Sequence, residues 1–240
     1  MTVDLRLGDY REVLQDVTDC RAVITDPPFG ARTHRGHDSA GRQVVSATGQ
    51  KVRRDLDYAC WTPADVAEFV AFWAPRCPGW MACMTSHDLI TPYMDAYEAA
   101  GRYAFAPVGI LTYHPRLLGD GPGSGLVYLM CSRPKSREFF GGWSNSPWFG
   151  PYYPAADRGA HVGGKPLACM QAIVREYSRV GDLVVDPCSG LATTALACRA
   201  EGRTFLGAEL SAETYAKAIK RLHGVTADAA QPGEQPRLDL

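Results

Sequence analysis

The sequence predicts an α/β fold, a Rossmann-like, doubly wound and mostly parallel sheet with an antiparallel edge strand. Three observations predict it. Short apolar runs with the look of buried strands alternate with amphipathic helical stretches. Two of these runs stop at Asp-Pro, at Asp26-Pro27 and Asp186-Pro187. No internal repeat is visible, and no apolar run reaches the ~18 residues of a membrane span.

The elements follow in order. Val3–Gly8 alternates like a strand, and Asp9 opens a short helix. Arg21–Thr25 is a compact apolar strand that ends at two prolines, which cannot continue a central ladder. Residues 30–57 are polar, rich in Gly, Arg and His, and read as one long loop. Thr62-Pro63 starts a helix that runs to about Trp73. Trp80–Thr85 is a strand, Asp88–Ala100 a helix that stops at Gly101. Pro107–Tyr113 and Leu126–Ser132 are strands joined by the turn Gly119–Gly125. Residues 133–160 are aromatic and irregular. Pro166–Arg179 is an amphipathic helix, Leu183–Val185 a strand, Thr193–Ala200 a helix, Thr204–Leu210 a strand and Ser211–Leu222 a final helix. The tail 225–240 has the composition of a disordered segment.

The chain of 240 residues carries 46% hydrophobic and 21% charged residues with net charge −1, as an ordinary globular protein does. The balance is not basic, so any nucleic-acid contact must come from local patches. Its eight cysteines include no C-x-x-C pair and lie at no metal-ligand spacing with histidine, so no metal is expected. They read as buried thiols of a reducing, cytoplasmic compartment.

Two motifs carry the chemistry. Asp26-Pro27-Pro28-Phe29 follows a strand, at the edge where doubly wound sheets bind ligands. The prolines make a rigid turn that offers a carboxylate, a carbonyl and a ring in fixed relation. Asp26 and the Pro27 carbonyl suit a planar amino group, and Phe29 suits stacking. The competing reading is a helix-stop loop with a surface Asp. Asp186-Pro187-Cys188-Ser189-Gly190 also follows a strand, with Thr193-Thr194 opening a helix. Glu209 ends the next strand about 20 residues on, the spacing of an acid that grips ribose hydroxyls. The competing reading is a plain strand-to-helix turn.

On these residues the chain resembles the amino-group DNA methyltransferases of the permuted class, in which the catalytic motif precedes the cofactor motif. It is similar to stand-alone enzymes of phages and prophages. Asp26–Phe29 matches the D-P-P-Y/F motif. Asp186–Gly190 with Thr193 matches the cofactor turn, with Cys188 and Ala192 where the family usually has Phe and Gly. His161–Pro166 matches an H-x-x-x-K-P segment, Phe205–Leu210 the ribose-binding strand, and Gly8-Asp9 a segment that contacts the cofactor's adenine.

The resemblance implies the S-adenosylmethionine-dependent methyltransferase fold, with one domain over 1–224. It implies S-adenosyl-L-methionine held by Asp9, Lys165, Asp186, Pro187, Gly190, Thr193 and Glu209. Catalysis falls to Asp26, Pro27, Pro28 and Phe29, acting on a base flipped out of double-stranded DNA. The expected product is N6-methyladenine, because N4-cytosine members more often carry Ser in place of Asp26. Residues 31–57 read as a DNA-facing loop with Arg32, Arg35, Arg42, Arg53 and Arg54, and 113–160 as a target-recognition region that includes Arg116. With no separate recognition domain evident, a short site or a second subunit in a homodimer is expected. His87 reads as a helix-capping polar residue at a strand end. The rival readings are N4-cytosine, RNA or protein-glutamine methylation, and a non-catalytic DNA- or cofactor-binding module. A restriction-modification or phage role in a bacterial cytoplasm is the biological expectation.

Overall fold

The structure, a computed structural model, describes residues 2–32, 43–45, 51–53, 60–116, 124–135 and 165–224. Along the chain the elements are β1 (Val3–Leu7), α1 (Tyr10–Val13), β2 (Ala22–Thr25), β3 (Gln43–Val45), β4 (Lys51–Arg53), α2 (Pro63–Trp73), β5 (Trp80–Thr85), α3 (Ile90–Ala99), β6 (Arg102–Ala104), β7 (Val108–Arg116), β8 (Ser124–Pro134), α4 (Leu167–Tyr177), β9 (Leu183–Asp186), α5 (Thr193–Glu201), β10 (Thr204–Glu209) and α6 (Ala212–Gly224).

The sheet runs in the order β1-β10-β9-β2-β5-β8-β6, and β7 also pairs with β8. From β1 to β5 every neighbour is parallel. β8 is reversed, and β6 and β7 pair with it in turn as one interrupted outer strand. The strands from the two ends of the chain meet: Val3 pairs with Phe205, and Phe205 with Val184. A sheet needs spatial neighbours, not sequence neighbours, so the permuted order still builds a continuous ladder.

Alternation along each strand sorts side chains onto two faces. Ala22, Ile24, Trp80, Ala82, Met84 and Val184 pack with α4, α5 and α6. Val23, Met81, Cys83 and Val185 pack with Phe69, Trp73, Tyr93 and Tyr97 of α2 and α3. Both faces are covered, which is why these strands read as unbroken apolar runs.

Local signals placed several ends correctly. Thr62 and Asp65 form a reciprocal capping box at the start of α2, with Pro63 in its first turn. Asp9 caps α1 through Arg11 N–H.

Other expectations shift. The stretch 30–57, read as a loop, contains the antiparallel pair β3–β4, with Val44 opposite Val52. Each strand is three residues long, too short for alternation to show against polar neighbours. β6 was not expected, because three residues carry no period and only pairing with Ser132–Pro134 defines it. The helix expected from Asp88 begins at Ile90, after a single 3₁₀ turn His87–Leu89. The tail 225–240 and most of 133–160 lie outside the described residues. Among the described residues no helix is long and apolar enough to cross a membrane.

Candidate active site

β2 and β9 are parallel neighbours, so their two Asp-Pro turns leave the same edge of the sheet side by side. Thr25, the last residue of β2, ties them together: its hydroxyl donates to Asp186 Oδ1 at 2.7 Å. Cys188 N–H donates to the same oxygen at 3.1 Å. Asp186 is only 2% exposed. Burial pushes its carboxyl up to about 6, opposed by hydrogen bonds from Thr194, Thr25 and Cys188.

Asp26 sits differently. Its side chain is 25% exposed, and Oδ2 receives the Lys165 ammonium at 2.5 Å. Oδ1 is shielded from solvent and has no hydrogen-bond partner among the described residues. Burial raises the carboxyl, and the Lys165 charge and hydrogen bond oppose that rise. The ammonium also lies 4.9 Å from the centre of the Phe29 ring. Phe29 is half-buried against the core.

The backbone after Asp26 is clamped. Phe29 C=O accepts Trp61 N–H at 3.1 Å. Gly30 N–H donates to Ser86 Oγ at 3.0 Å, and that hydroxyl donates to Asp88 Oδ1 at 2.6 Å. Gly30 is required there, since a Cβ would stand 2.2 Å from the Asp88 carboxylate. Rotation of the Pro27-Pro28 turn is thus restrained from both sides.

On the other half of the site, Glu209 closes the turn of β9. Its Oε2 accepts Gly190 N–H at 2.9 Å and its Oε1 accepts Ser211 N–H at 2.8 Å. Burial raises this carboxyl, and those N–H groups oppose it. Gly190 has φ +51, and a Cβ built on it would meet nothing within 4 Å. Open space therefore adjoins the backbone between Gly190 and Glu209. Gly8 N–H donates to Glu209 C=O at 2.9 Å, which brings Asp9 to the same rim. Asp9 itself is paired with Arg11, whose guanidinium holds its carboxyl low. Pro187 is buried. The Thr193 hydroxyl accepts from Arg221 at 2.8 Å, locking α6 to the start of α5.

Gly190, Glu209 and Asp9 fit a ligand with a sugar and a base. Lys165, expected beside the cofactor, donates to Asp26 Oδ2. Arg32 is exposed, with Nη1 3.5 Å from His87 Nε2 and its N–H on Asp88. His87 does not cap a helix; Ser86 stands at that position. Arg53 and Arg116 end β4 and β7, while Arg35, Arg42 and Arg54 lie outside the described residues. Sequence reasoning missed Thr25, Trp61, Ser86 and Asp88. Thr25 had a signal, a hydroxyl ending an apolar strand just before Asp-Pro; the others work through contacts distant in sequence.

Known proteins resemble this chain in sequence and in fold. Residues 95–221, a little over half of the chain, match the N6/N4 methyltransferase family model described as DNA methylase. The DNA adenine methyltransferase YhdJ of Escherichia coli is 37% identical over 62 residues, 26% of this chain and 21% of that protein. The type II methyltransferase M.HindIII of Haemophilus influenzae is 36% identical over 66 residues, 28% of this chain and 21% of its own length. The aligned stretch thus spans about a fifth of each curated relative. The M1.HpyAVI–SAM complex matches with a TM-score of 0.70 at 21% identity, over 92% of this chain and 99% of that one. The putative DNA modification methylase TTHA0409 of Thermus thermophilus, complexed with S-adenosyl-L-methionine, matches with a TM-score of 0.61 at 19% identity, over 93% and 94%. The fold is therefore the methyltransferase fold. A Gly190–Glu209 rim on the strand edge inside the matched stretch completes the case, and the chain belongs to the N6/N4 DNA methylase family.

Proposed function

We propose that this chain is an S-adenosylmethionine-dependent DNA methyltransferase that modifies the exocyclic amino group of a flipped-out base, with N6 of adenine as its target. One observation carries the reading. Asp26 keeps a shielded Oδ1 with no partner among the described residues, at a clamped strand end, on the sheet edge that also holds the open Gly190–Glu209 turn. The family match begins at residue 95 and does not reach Asp26, so the catalytic role rests on this geometry.

The Gly190–Glu209 turn with Asp9 fits the nucleoside part of S-adenosylmethionine, which when bound supplies a methyl group on a good leaving group. The chain's own residues do the rest. Asp26 Oδ1 and the Pro27 carbonyl accept the two N–H groups of the target amine and orient its lone pair. Phe29 replaces the stacking that the base loses on flipping, worth ~1–3 kcal/mol. Asp26 need not act as a strong base, because the amine becomes acidic only as the N–C bond forms. Arg32 stands exposed near this turn for a phosphate, and Arg35, Arg42, Arg53, Arg54 and Arg116 extend that role. The 113–160 region serves target recognition.

Adenine is supported by Asp26 itself and by the name of the YhdJ relative. The PvuII methyltransferase, cytosine-N4-specific by name, shares the fold at 17% identity, so cytosine is the reading to test against. Tritium transfer from labelled S-adenosylmethionine to unmethylated plasmid DNA tests the activity, and nucleoside analysis of the product identifies the base. Donor binding without transfer would leave a non-catalytic module; N4-methylcytosine in the digest would overturn the adenine assignment.

A further inference from the structure

We propose that Lys165 is a positioning residue for Asp26: its ammonium grips one carboxylate oxygen and so fixes the other as the acceptor for the target amine. The proposal rests on the reading of Asp26 above. It departs from the sequence expectation, in which Lys165 binds the cofactor.

The geometry divides the carboxylate. Oδ2 is held by Lys165 Nζ at 2.5 Å, and Oδ1 has no partner among the described residues. A carboxylate with both oxygens free would rotate about its last torsion and present either one. Gripping Oδ2 removes that freedom before substrate arrives. The ammonium is well placed for this, because its side chain is only 9% exposed and Phe29 lines its other flank at 4.9 Å. Pro166, the N-cap of α4, restricts the backbone of the preceding Lys165 to extended conformations.

The surroundings favour the same division of labour. Asp186, the last residue of β9, lies across from the end of β2 and feels the charge of Asp26. Tyr93 of α3 and Cys169 of α4 also feel Asp26, and burial keeps both neutral at physiological pH. Lys165 is the cation in contact with the carboxylate that opposes its burial. Without it, burial would drive Asp26 toward the protonated form, and the acceptor would become a donor.

The test uses Lys165→Met and Lys165→Arg in the full chain. Asp26 is titrated by NMR of aspartate-labelled protein without cofactor, its carboxyl signal identified by loss in Asp26→Asn. In Lys165→Met the midpoint should move to higher pH, and Lys165→Arg should hold it near wild type. The acid limb of kcat should move the same way, with kcat down by roughly one to two orders of magnitude and KM for the donor little changed. An unmoved midpoint in correctly folded Lys165→Met overturns the proposal. So does a raised donor KM with unchanged kcat, which would return Lys165 to cofactor binding. If the wild-type protein transfers no methyl group at all, the functional reading fails, and the titration alone still decides whether Lys165 governs Asp26.

Discussion

Two Asp-Pro turns sit on neighbouring parallel strands, and they behave as opposites. Asp186 is turned inward, 2% exposed, with Thr25 and Cys188 donating to one oxygen. Asp26 is partly exposed, with one oxygen on Lys165 and the other without a partner among the described residues. The same dipeptide at the same edge thus forms a structural knot once and, in the function proposed above, offers an acceptor once. The difference lies in what surrounds each carboxylate. A satisfied buried acid stabilises a turn; an acid with a shielded, spare acceptor is costly to keep, which is why Asp26 is the one proposed to meet a ligand.

That contrast can be broken most sharply at Asp26. Asp26→Ala should lower the rate of methyl transfer about 10²–10³-fold, beyond what the stability lost by leaving the Lys165 ammonium without its carboxylate accounts for. Tritium incorporation and a melting curve measure both sides, and retained activity would erase the distinction.

Asp186 should show the reverse. Asp186→Ala strands the Thr25 hydroxyl and Cys188 N–H, and should cost about 2–4 kcal/mol of stability in chemical denaturation. Its ionisation leaves a further mark. The folded carboxyl titrates near 6 against an unfolded value of 3.8, so the native state holds its proton longer than the unfolded chain. The protein therefore loses on the order of 3 kcal/mol of stability as pH rises from about 3.8 through 6. Asp186→Asn keeps an acceptor without the charge and should flatten that window. An unchanged slope of unfolding free energy against pH would show that Asp186 is not the group responsible.

Phe29→Leu keeps an apolar side chain but loses the aromatic stacking face. It should weaken productive base binding by about 1–2 kcal/mol, read as a rise in KM for DNA with donor affinity unaltered.

The smallest effect belongs to Ala192, where the family usually has Gly. It adopts φ 58 and ψ 38, a left-handed conformation, with its methyl fully buried at the head of α5. Ala192→Gly removes the backbone strain and should stabilise by up to about 1 kcal/mol, offset in part by the lost methyl contacts. A loss of stability would show that packing outweighs strain there.

Much of this was legible before any coordinates. Apolar runs on β2, β5 and β9 are long enough to reveal buried strands, and Thr62-Pro63 with Asp65 spells out a helix start. The D-P-P-F and D-P-C-S-G turns announce themselves because proline fixes φ and glycine admits backbone conformations that other residues avoid. β3, β4 and β6 escaped because three-residue strands have no period and exist only through their partners. Residue type and spacing single out Asp26 and Glu209 as candidates, but what each one touches is not readable from them.

The sequence alone determined the order of elements, the two strand-end turns and the acids that close them, since torsional limits and alternation act between near neighbours. Only the tertiary structure decided that β10 lies between β1 and β9, that Thr25 donates to Asp186, and that Lys165, 139 residues away, holds Asp26. Those pairings join residues far apart along the chain, and a hydrogen bond or an ion pair depends on distance in space, which no local pattern encodes.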